Sequence, residues 1–302
     1  MKNTPFIAVT SQPVPYYADT TAIFHTLCQQ NSNSLLLDSA EIGSKNSLQS
    51  LILINAAVKI TCLGNQVTFR ALNANGKQVL NEIHPVLSQL GTVSAVNFDN
   101  EFSVQFAPLD NQLDEDSKLQ AATIFDGLRV ISSHYQHSST PVFLGGLFAY
   151  DLVANFIPMQ GVELKDDGIR CPDYSFYLAE NLITIDHQSQ QATLKSFCFS
   201  QEEQVEVAKT ALSIAQKLKN IDGVLSIKAA SDEVSTNFED PEFTGIVKAL
   251  KHHINIGDVF QIVPSRRFSL ACPNTLASYA QLKLNNPSPY MFYMNDEEFI
   301  LF

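Results

Sequence analysis

The sequence of 302 residues contains no tryptophan and only five cysteines, which lie far apart at positions 28, 62, 171, 198 and 272. An odd and scattered set of cysteines is not a disulfide framework, and it predicts reduced thiols in a protein of the cytosol. No apolar run reaches the roughly 18 residues of a membrane span. The N-terminal segment also lacks the apolar stretch of a signal peptide. The sequence therefore predicts a cytoplasmic protein that does not enter a membrane.

Basic residues are scarce. Lysine and arginine together number 19 against 31 for aspartate and glutamate, which gives a formal net charge of -12. A protein that binds nucleic acid needs a basic surface for the phosphates. We therefore expect no nucleic acid among the partners of this chain.

The motifs of common catalytic and cofactor sites are also missing. The chain has neither a glycine-rich phosphate loop nor a dinucleotide fingerprint. His252 and His253 are adjacent on a predicted helix, so their side chains point about 100° apart and do not readily share a metal. No serine, histidine and carboxylate set stands out. The residues by themselves assign no catalytic residue and no metal ligand within this chain.

What the chain has is apolar material for a large core: 45% of its residues are hydrophobic, including 20 phenylalanines. Its length allows one large domain or two ordinary ones. Alternating runs on both sides of Gly64-Asn65 predict a β-hairpin. Gly145 and Gly146, within an apolar stretch, predict a bulge or a close approach of two backbones. Strand pairs alternate with long helices, which predicts a mixed α/β protein of the α+β class with largely antiparallel pairing.

Two helices in the second half of the chain have clear patterns. Residues 200–220 predict an amphipathic helix with a buried face formed by Val205, Ala208, Leu212, Ala215 and Leu218. Residues 240–258 predict another, with Asp240 as its cap, Pro241 in its first turn and Gly257 at its end. The residues expected on its buried face are Phe243, Ile246, Val247, Leu250 and Ile254.

Near the end of the chain, the stretch NPSPYMFYM combines two prolines with aromatic and methionine side chains. Pro287 and Pro289 fix two φ angles and remove two N–H donors, so the segment is stiff and its carbonyl groups lack regular partners. One interpretation is the start of a core strand, which the residues alone favour. The other is the wall of a site for a ligand with an ammonium group and a flat apolar body.

Five stretches together resemble anthranilate synthase component I: LLLDSAEIGSK, FLGGLFAYDLV, CPDYSFYLAENLITIDHQ, GDVFQIVPSRRFSL and NNPSPYMFYMNDEEFILF. They occur in the family's order and extend from about residue 20 to the last residue. The resemblance implies packed antiparallel β-sheets with flanking helices. It also implies that the chain is the N-terminal portion of the family's fold, truncated before the rest of the catalytic domain.

The resemblance also implies a function. Members of the family are lyases that convert chorismate and ammonia to anthranilate and pyruvate, the first step of tryptophan biosynthesis. A glutamine amidotransferase subunit, component II, supplies the ammonia, Mg²⁺ is required, and L-tryptophan is a feedback inhibitor. The family's Mg²⁺ carboxylates and general acid/base residues lie in the later half, so this chain alone is expected to be inactive.

A division into domains follows from the same resemblance. Residues 1–220 would be the regulatory region and residues 221–240 a linker. Residues 241–302 would be the first, incomplete elements of the chorismate-binding catalytic domain.

The tryptophan site implied by the resemblance has two walls. One consists of Asp38 and Ser39, and the other of Pro289, Tyr290 and Met291. The position of Asp38 is often glutamate in relatives, which leaves two roles open: contact with the ligand's ammonium or support of the adjacent loop. Met291 can pack on the indole, and Ser39 can hydrogen-bond a charged group of the ligand.

Two further interpretations remain open. In one, the chain on its own is a non-catalytic tryptophan-binding fragment. In the other, it is a relative of aminodeoxychorismate synthase component I, which shares part of the sequence pattern and makes no anthranilate.

Overall fold

The computed structural model describes residues 5–28, 31–39, 48–97, 100–110, 112–136, 140–157, 171–221 and 233–302. Most of the predicted linker, residues 222–232, lies outside these ranges. In chain order the strands are β1 (Ala8–Val14), β2 (Ser34–Asp38), β3 (Gln49–Leu63), β4 (Gln66–Ala71), β5 (Thr92–Asn97), β6 (Glu101–Gln105), β7 (Leu144–Phe148), β8 (Tyr174–Asp186), β9 (Gln191–Cys198), β10 (Val234–Thr236), β11 (Phe268–Leu270), β12 (Met291–Asn295) and β13 (Ile300–Leu301).

Helices alternate with groups of these strands. They are α1 (Thr20–Cys28), α2 (Ala74–Leu87), α3 (Glu115–Gln120), α4 (Asp126–His134), α5 (Gln204–Lys217), α6 (Asp240–Asn255) and α7 (Thr275–Asn285), together with a 3₁₀ helix over Tyr150–Asn155. Asp19 caps α1, because its carboxylate accepts the main-chain N–H groups of Thr21 and Ala22 at 3.0 and 3.1 Å.

Eleven of the strands form one sheet in which every described pairing is antiparallel. Its main path runs β1-β9-β8-β3-β2-β12-β13, and β4, β6, β5 and β7 attach beside it. The remaining strands, β10 and β11, pair with each other. The α+β prediction of antiparallel sheet with flanking helices is confirmed.

The long strand β3 serves two sets of neighbours because its register against β8 shifts between Leu53 and Val58. Its first half pairs with β2, and its second half pairs with β4 through the predicted hairpin at Gly64-Asn65. A β-bulge bends a strand and increases its twist, which lets the two halves face different partners. The main buried core gathers around β3 and β8 and contains Ile60, Phe69 and Tyr177, each 0% exposed.

The predicted close approach at the glycine pair is confirmed at Gly146 on β7. A Cβ atom built there would lie 2.1 Å from the carbonyl oxygen of Ser175 on the neighbouring strand β8. No side chain fits in that space, so the position requires glycine.

A buried ion pair joins β3 to the turn after β12. The Lys59 ammonium lies 2.7 Å from the Asp296 carboxylate, and the two side chains are 9% and 0% exposed. Asp296 also accepts hydrogen bonds from the Tyr177 hydroxyl and from the main-chain N–H of Glu298 at 3.1 Å. Burial alone would raise the pKa of Asp296, but the bonds from Lys59 and Tyr177 outweigh it and hold the pKa below its ordinary value.

Helix α5 forms where it was predicted, but the predicted buried face is wrong except for Leu218. The structure buries Val207, Ala211, Ile214 and Leu218, whereas Val205 and Leu212 are exposed. The helix carries apolar residues on two overlapping stripes, so its own pattern does not determine which stripe is buried. Packing against β9 makes the selection.

The structure divides into two compact units, Met1–Val224 with Leu282–Phe302, and Leu225–Gln281. The second contains α6, whose ends were predicted well: Pro241 lies in the first turn, and Gly257 follows the helix with φ +83°. The cap is Glu239 rather than Asp240, whose carboxylate instead binds Arg266 at 2.6 Å. No residue of α6 is fully buried. The predicted face is nevertheless the less exposed side of the helix, because four of its five residues are half-buried and Ile254 is exposed.

Residues 114–133 do not form one continuous helix. The structure has two helices there, α3 and α4, with an irregular segment between them. No helix in the described part of the chain is both long enough and apolar enough to cross a membrane.

Candidate functional site

The sheet brings the two predicted walls of the tryptophan site side by side. Strand β2 lies between β3 and β12, and Met291 on β12 pairs directly with Asp38 on β2. Residues paired across an antiparallel ladder point to the same face of the sheet. Ser39 follows Asp38, and Pro289 and Tyr290 precede Met291, so all five predicted residues belong to one end of this strand pair.

The Asp38 side chain is fully buried and holds an ion pair with Lys283, whose ammonium lies 2.6 Å away. The same carboxylate oxygen accepts a hydrogen bond from the Thr20 hydroxyl at 2.8 Å. Its other oxygen accepts from the Ser50 hydroxyl at 2.8 Å and from the main-chain N–H of Ser39 at 3.0 Å. Asp38 therefore ties together α1, β2, β3 and the end of α7.

The charge on Asp38 is stabilised by these contacts. Burial raises the pKa of the carboxyl group, but the charge and hydrogen bond of Lys283 and the hydroxyls of Ser50 and Thr20 outweigh it, so the pKa lies below its ordinary value. Asp38 is thus ionised at neutral pH and already neutralised by a lysine. This arrangement favours support of the adjacent loop over contact with a ligand's ammonium.

The backbone at Ser39 is held by two acceptors. Its N–H donates to Asp38 and, at 3.3 Å, to the Ser50 hydroxyl oxygen. Within the described residues the Ser39 hydroxyl itself makes no hydrogen bond. The residue as a whole is half-buried.

The opposite wall presents both apolar surface and irregular backbone. Met291 is 9% exposed and Tyr290 is 77% exposed. The Ser288 hydroxyl oxygen accepts from the N–H of Tyr290 at 3.3 Å and donates to its carbonyl at 3.4 Å. Strand β12 begins only at Met291, so the prolines precede the regular ladder, as a strand start requires.

Four residues of this site were missed by reading the sequence: Thr20, Ser50, His187 and Lys283. His187 follows β8, and its Nε2 lies 2.9 Å from the Ser50 hydroxyl oxygen. Its Nδ1 lies 3.2 Å from the Tyr16 hydroxyl. Ser50 and His187 are 137 residues apart in the sequence, and Asp38 and Lys283 are 245 residues apart. Contacts between such distant residues leave no local pattern in the sequence. Ser50 gives no local signal either, because β3 contains other polar residues as well: Gln49, Asn55, Lys59 and Thr61.

A cavity of about 400 Å³ lies elsewhere in the first unit, and none of the five predicted residues lines it. Its polar lining includes Asn33, Asn55 and the carboxyl groups of Glu180 and Glu297. Glu180 is buried and accepts hydrogen bonds from Asn73 and Asn75 at 2.9 and 2.8 Å. These bonds tie the carboxylate to the neighbouring α2 region.

The residues that the structure describes contain no group of three or more histidine, cysteine, aspartate or glutamate side chains arranged to hold a metal ion. In the second unit, Arg266 pairs with Asp240 and lies over the ring of Phe268 at 4.5 Å. That contact is an ion pair and a cation–π contact within the unit itself.

Comparison with known sequences gives a consistent result. The sequence pattern of the chorismate binding enzyme family matches residues 82–302. The chain is 88% identical to anthranilate synthase component 1 of Haemophilus influenzae, over 98% of this chain and 57% of that protein. It is 45% identical to the Vibrio cholerae protein of the same name, over 100% of this chain and 58% of the relative. The chain thus spans a little more than half the length of these curated relatives.

Comparison with solved structures supports the fold. Anthranilate synthase component I from Streptococcus pneumoniae aligns with a TM-score of 0.51 at 17% identity, covering 84% of this chain and 49% of that structure. The menaquinone-specific isochorismate synthase of Escherichia coli aligns with the same TM-score at 14% identity, covering 97% of this chain and 49% of that structure.

The predicted resemblance to the N-terminal portion of anthranilate synthase component I is confirmed by these relatives. The matched pattern covers well over half of the residues and reaches the last one. The chain belongs to the family of chorismate binding enzymes.

Proposed function

We propose that this chain is the N-terminal portion of an anthranilate synthase component I. The enzyme converts chorismate and ammonia to anthranilate, pyruvate and water in the cytoplasm, as the first step of tryptophan biosynthesis. A glutamine amidotransferase subunit supplies the ammonia, and Mg²⁺ assists the lyase reaction. The single observation that carries the proposal is the 88% identity to the Haemophilus influenzae protein across 98% of this chain. The reading as an aminodeoxychorismate synthase relative finds no such counterpart among these relatives.

The proposed domain organisation assigns residues 1–220 to a regulatory region, 221–240 to a linker and 241–302 to the first part of the catalytic domain. The boundary between the compact units at Val224 and Leu225 falls within that linker, and the segment Leu282–Phe302 packs with the first unit. In this arrangement the strand β12 contributes to the regulatory site.

The first prediction concerns catalysis. We expect the 302-residue chain to form no anthranilate from chorismate, ammonia and Mg²⁺, because the general acid/base and Mg²⁺ groups lie in the remaining part of the family's enzyme. We expect activity when the chain is joined to the remainder of the Haemophilus influenzae relative, which is 88% identical over the shared part. The fluorescence of anthranilate provides the measurement.

Two results would contradict this proposal. Turnover by the 302-residue chain above a protein-free blank would show that the catalytic groups are present in it. A folded chimera that consumes chorismate without forming anthranilate would favour the aminodeoxychorismate synthase reading.

We further propose that the first unit binds L-tryptophan beside Asp38, Ser39, Pro289, Tyr290 and Met291, and that this binding inhibits the complete enzyme. The Ser39 hydroxyl has no partner among the described residues and suits a charged group of the ligand. Met291 offers apolar surface for the indole. Pro287 and Pro289 hold their wall in shape before the ligand arrives, which lowers the ordering cost of binding.

The second prediction tests this site with Ser39→Ala and Met291→Thr. Loss of the Ser39 hydrogen bond to a charged group should weaken tryptophan binding by about 1.5–3 kcal/mol, or roughly ten- to a hundredfold. Met291→Thr should weaken it similarly, because a smaller polar side chain loosens the indole contact. The chain contains no tryptophan of its own, so the fluorescence of the added ligand reports binding directly.

Matched controls separate the site from general effects. Ser213→Ala, at an exposed position of α5 outside the site, and Met291→Leu should bind tryptophan nearly as well as the wild type. In the chimera, Ser39→Ala should leave chorismate turnover unchanged when tryptophan is absent. Inhibition curves that overlay the wild type while turnover collapses would place these residues in the core or the active site instead.

A further inference from the structure

A chain of polar side chains extends behind Asp38 to the surface of the first unit. It runs from Asp38 through the Ser50 hydroxyl and the His187 ring to the Tyr16 hydroxyl, at distances of 2.8, 2.9 and 3.2 Å. Ser50 is fully buried, and His187 is half-buried. The register of the sheet brings these two together, because Ser50 on β3 pairs with Ile185 on β8, two residues before His187.

The chemistry of these groups fixes where each proton lies. An ionised carboxylate only accepts hydrogen bonds, so the single Ser50 hydroxyl proton points to Asp38. The Ser50 oxygen must then accept from His187, which places a proton on Nε2. In the neutral ring Nδ1 is therefore the acceptor and takes the Tyr16 hydroxyl proton.

The surroundings of the ring favour this neutral form. Burial lowers the pKa of His187, and the positive charge of Lys283 lowers it further, against the opposing charges of Asp38 and Asp186. The balance leaves the pKa below its ordinary value of about 6.5. At neutral pH the ring therefore serves as a donor to Ser50 and an acceptor from Tyr16.

We propose that His187 is a positioning residue of the tryptophan site. Its Nε2–H directs the Ser50 hydroxyl toward Asp38, and Ser50 and Asp38 together hold the main-chain N–H of Ser39. The hydroxyl proposed to contact the ligand is thus oriented by a ring that touches no ligand. This inference rests on the proposed tryptophan site and adds a group that controls it.

The experiment is a double-mutant cycle on the 302-residue chain, read through the fluorescence of added L-tryptophan. His187→Leu and Ser50→Ala should each weaken binding by about tenfold, the effect of one lost hydrogen bond that orients a charged contact. Because both substitutions remove the same hydrogen bond, the affinity of the double variant should be no lower than that of the single variant with the lower affinity. His187→Gln keeps an N–H donor and a carbonyl acceptor and should bind nearly as well as the wild type.

A spectroscopic reading separates positioning from a merely structural role. The ¹⁵N signals of the imidazole should show a proton on Nε2 and none on Nδ1 in the unliganded wild type, and Ser50→Ala should reduce that preference. Folding of each variant is checked by circular dichroism, and His187→Gln keeps the test open if His187→Leu does not fold.

The outcomes distinguish the two proposals. A wild-type chain that binds no tryptophan overturns the tryptophan site and this inference with it. If the wild-type chain binds tryptophan, two results overturn this inference alone. In one, the effects of His187→Leu and Ser50→Ala on affinity multiply in the double variant. In the other, His187→Leu binds as tightly as the wild type. A proton on Nδ1 in the wild type also overturns it.

Discussion

Lys59→Met should lower the free energy of unfolding of the first unit by about 3–5 kcal/mol, the usual cost of removing one partner of a buried ion pair. The Asp296 carboxylate has no exposed surface and lies 2.7 Å from the Lys59 ammonium. Without that ammonium, a buried negative charge would retain hydrogen bonds but no neutralising cation. Urea denaturation followed by the near-ultraviolet circular dichroism of the buried tyrosines measures the change.

The control for this substitution is Lys209→Met on α5. Lys209 pairs with Glu206 at 2.6 Å, but both side chains are 65% exposed. Exposed pairs contribute at most about 1 kcal/mol, so this variant should unfold close to the wild type. Lys59→Met/Asp296→Asn should recover part of the loss, because a neutral amide needs no counter-charge. Equal effects of Lys59→Met and Lys209→Met would contradict the prediction.

The pH dependence of the Lys59→Met effect follows from the Asp296 pKa. In the wild type this pKa is depressed, so its stabilising contribution is present above the unfolded value of about 3.9 and is lost as the pH falls through the folded value. In Lys59→Met, burial without the cation raises the folded pKa, so acidification stabilises the variant relative to neutral pH. The difference in the free energy of unfolding between the wild type and Lys59→Met should therefore be largest at neutral pH and become smaller in acid.

Local signals in the sequence predicted local structure well. The hairpin at Gly64-Asn65 and the ends of α6 at Pro241 and Gly257 depend on backbone preferences of the residues themselves. The buried face of α5 was mispredicted because two apolar stripes compete on that helix and the strand beside it decides. Pattern therefore determines where such a helix forms, and tertiary packing determines how it is rotated.

The candidate site also depends on tertiary structure that local sequence patterns do not predict. The pairing of Asp38 with Met291 depends on a strand order that no local pattern contains. Resemblance to a family suggested those two walls, but it did not suggest Lys283, Ser50 or His187. Their importance arises from what a buried carboxylate needs once the fold has enclosed it: a cation and hydrogen-bond donors at short distance.

The buried Asp38 carboxylate needs its cation, so removal of Lys283 should have the second large effect on stability. Lys283→Met removes the ammonium 2.6 Å from the Asp38 carboxylate, whose side chain is fully buried. We expect a loss of about 3 kcal/mol in the free energy of unfolding, near the lower end for such pairs because the Lys283 side chain is 21% exposed. Urea denaturation of the same unit measures it.

The double variant Lys283→Met/Asp38→Asn then separates the two roles open to Asp38. An asparagine needs no counter-charge, and its carbonyl oxygen still accepts from Ser50, so most of the stability should return. If Asp38 supports the backbone at Ser39, as its hydrogen bonds favour, the double variant should also bind L-tryptophan within a few-fold of the wild type.

A direct contact between Asp38 and the ligand's ammonium requires the opposite result. The double variant would then lose a charge-assisted bond of about 1.5–3 kcal/mol, or roughly ten- to a hundredfold in affinity. Lys283→Met alone would bind tryptophan more tightly than the wild type, because the ligand's ammonium would take the place of the missing lysine. We expect weaker binding by Lys283→Met and recovery in the double variant, since the lysine already occupies the position that an ammonium would need. Tighter binding by Lys283→Met would reverse the assignment and make Asp38 a ligand-binding residue.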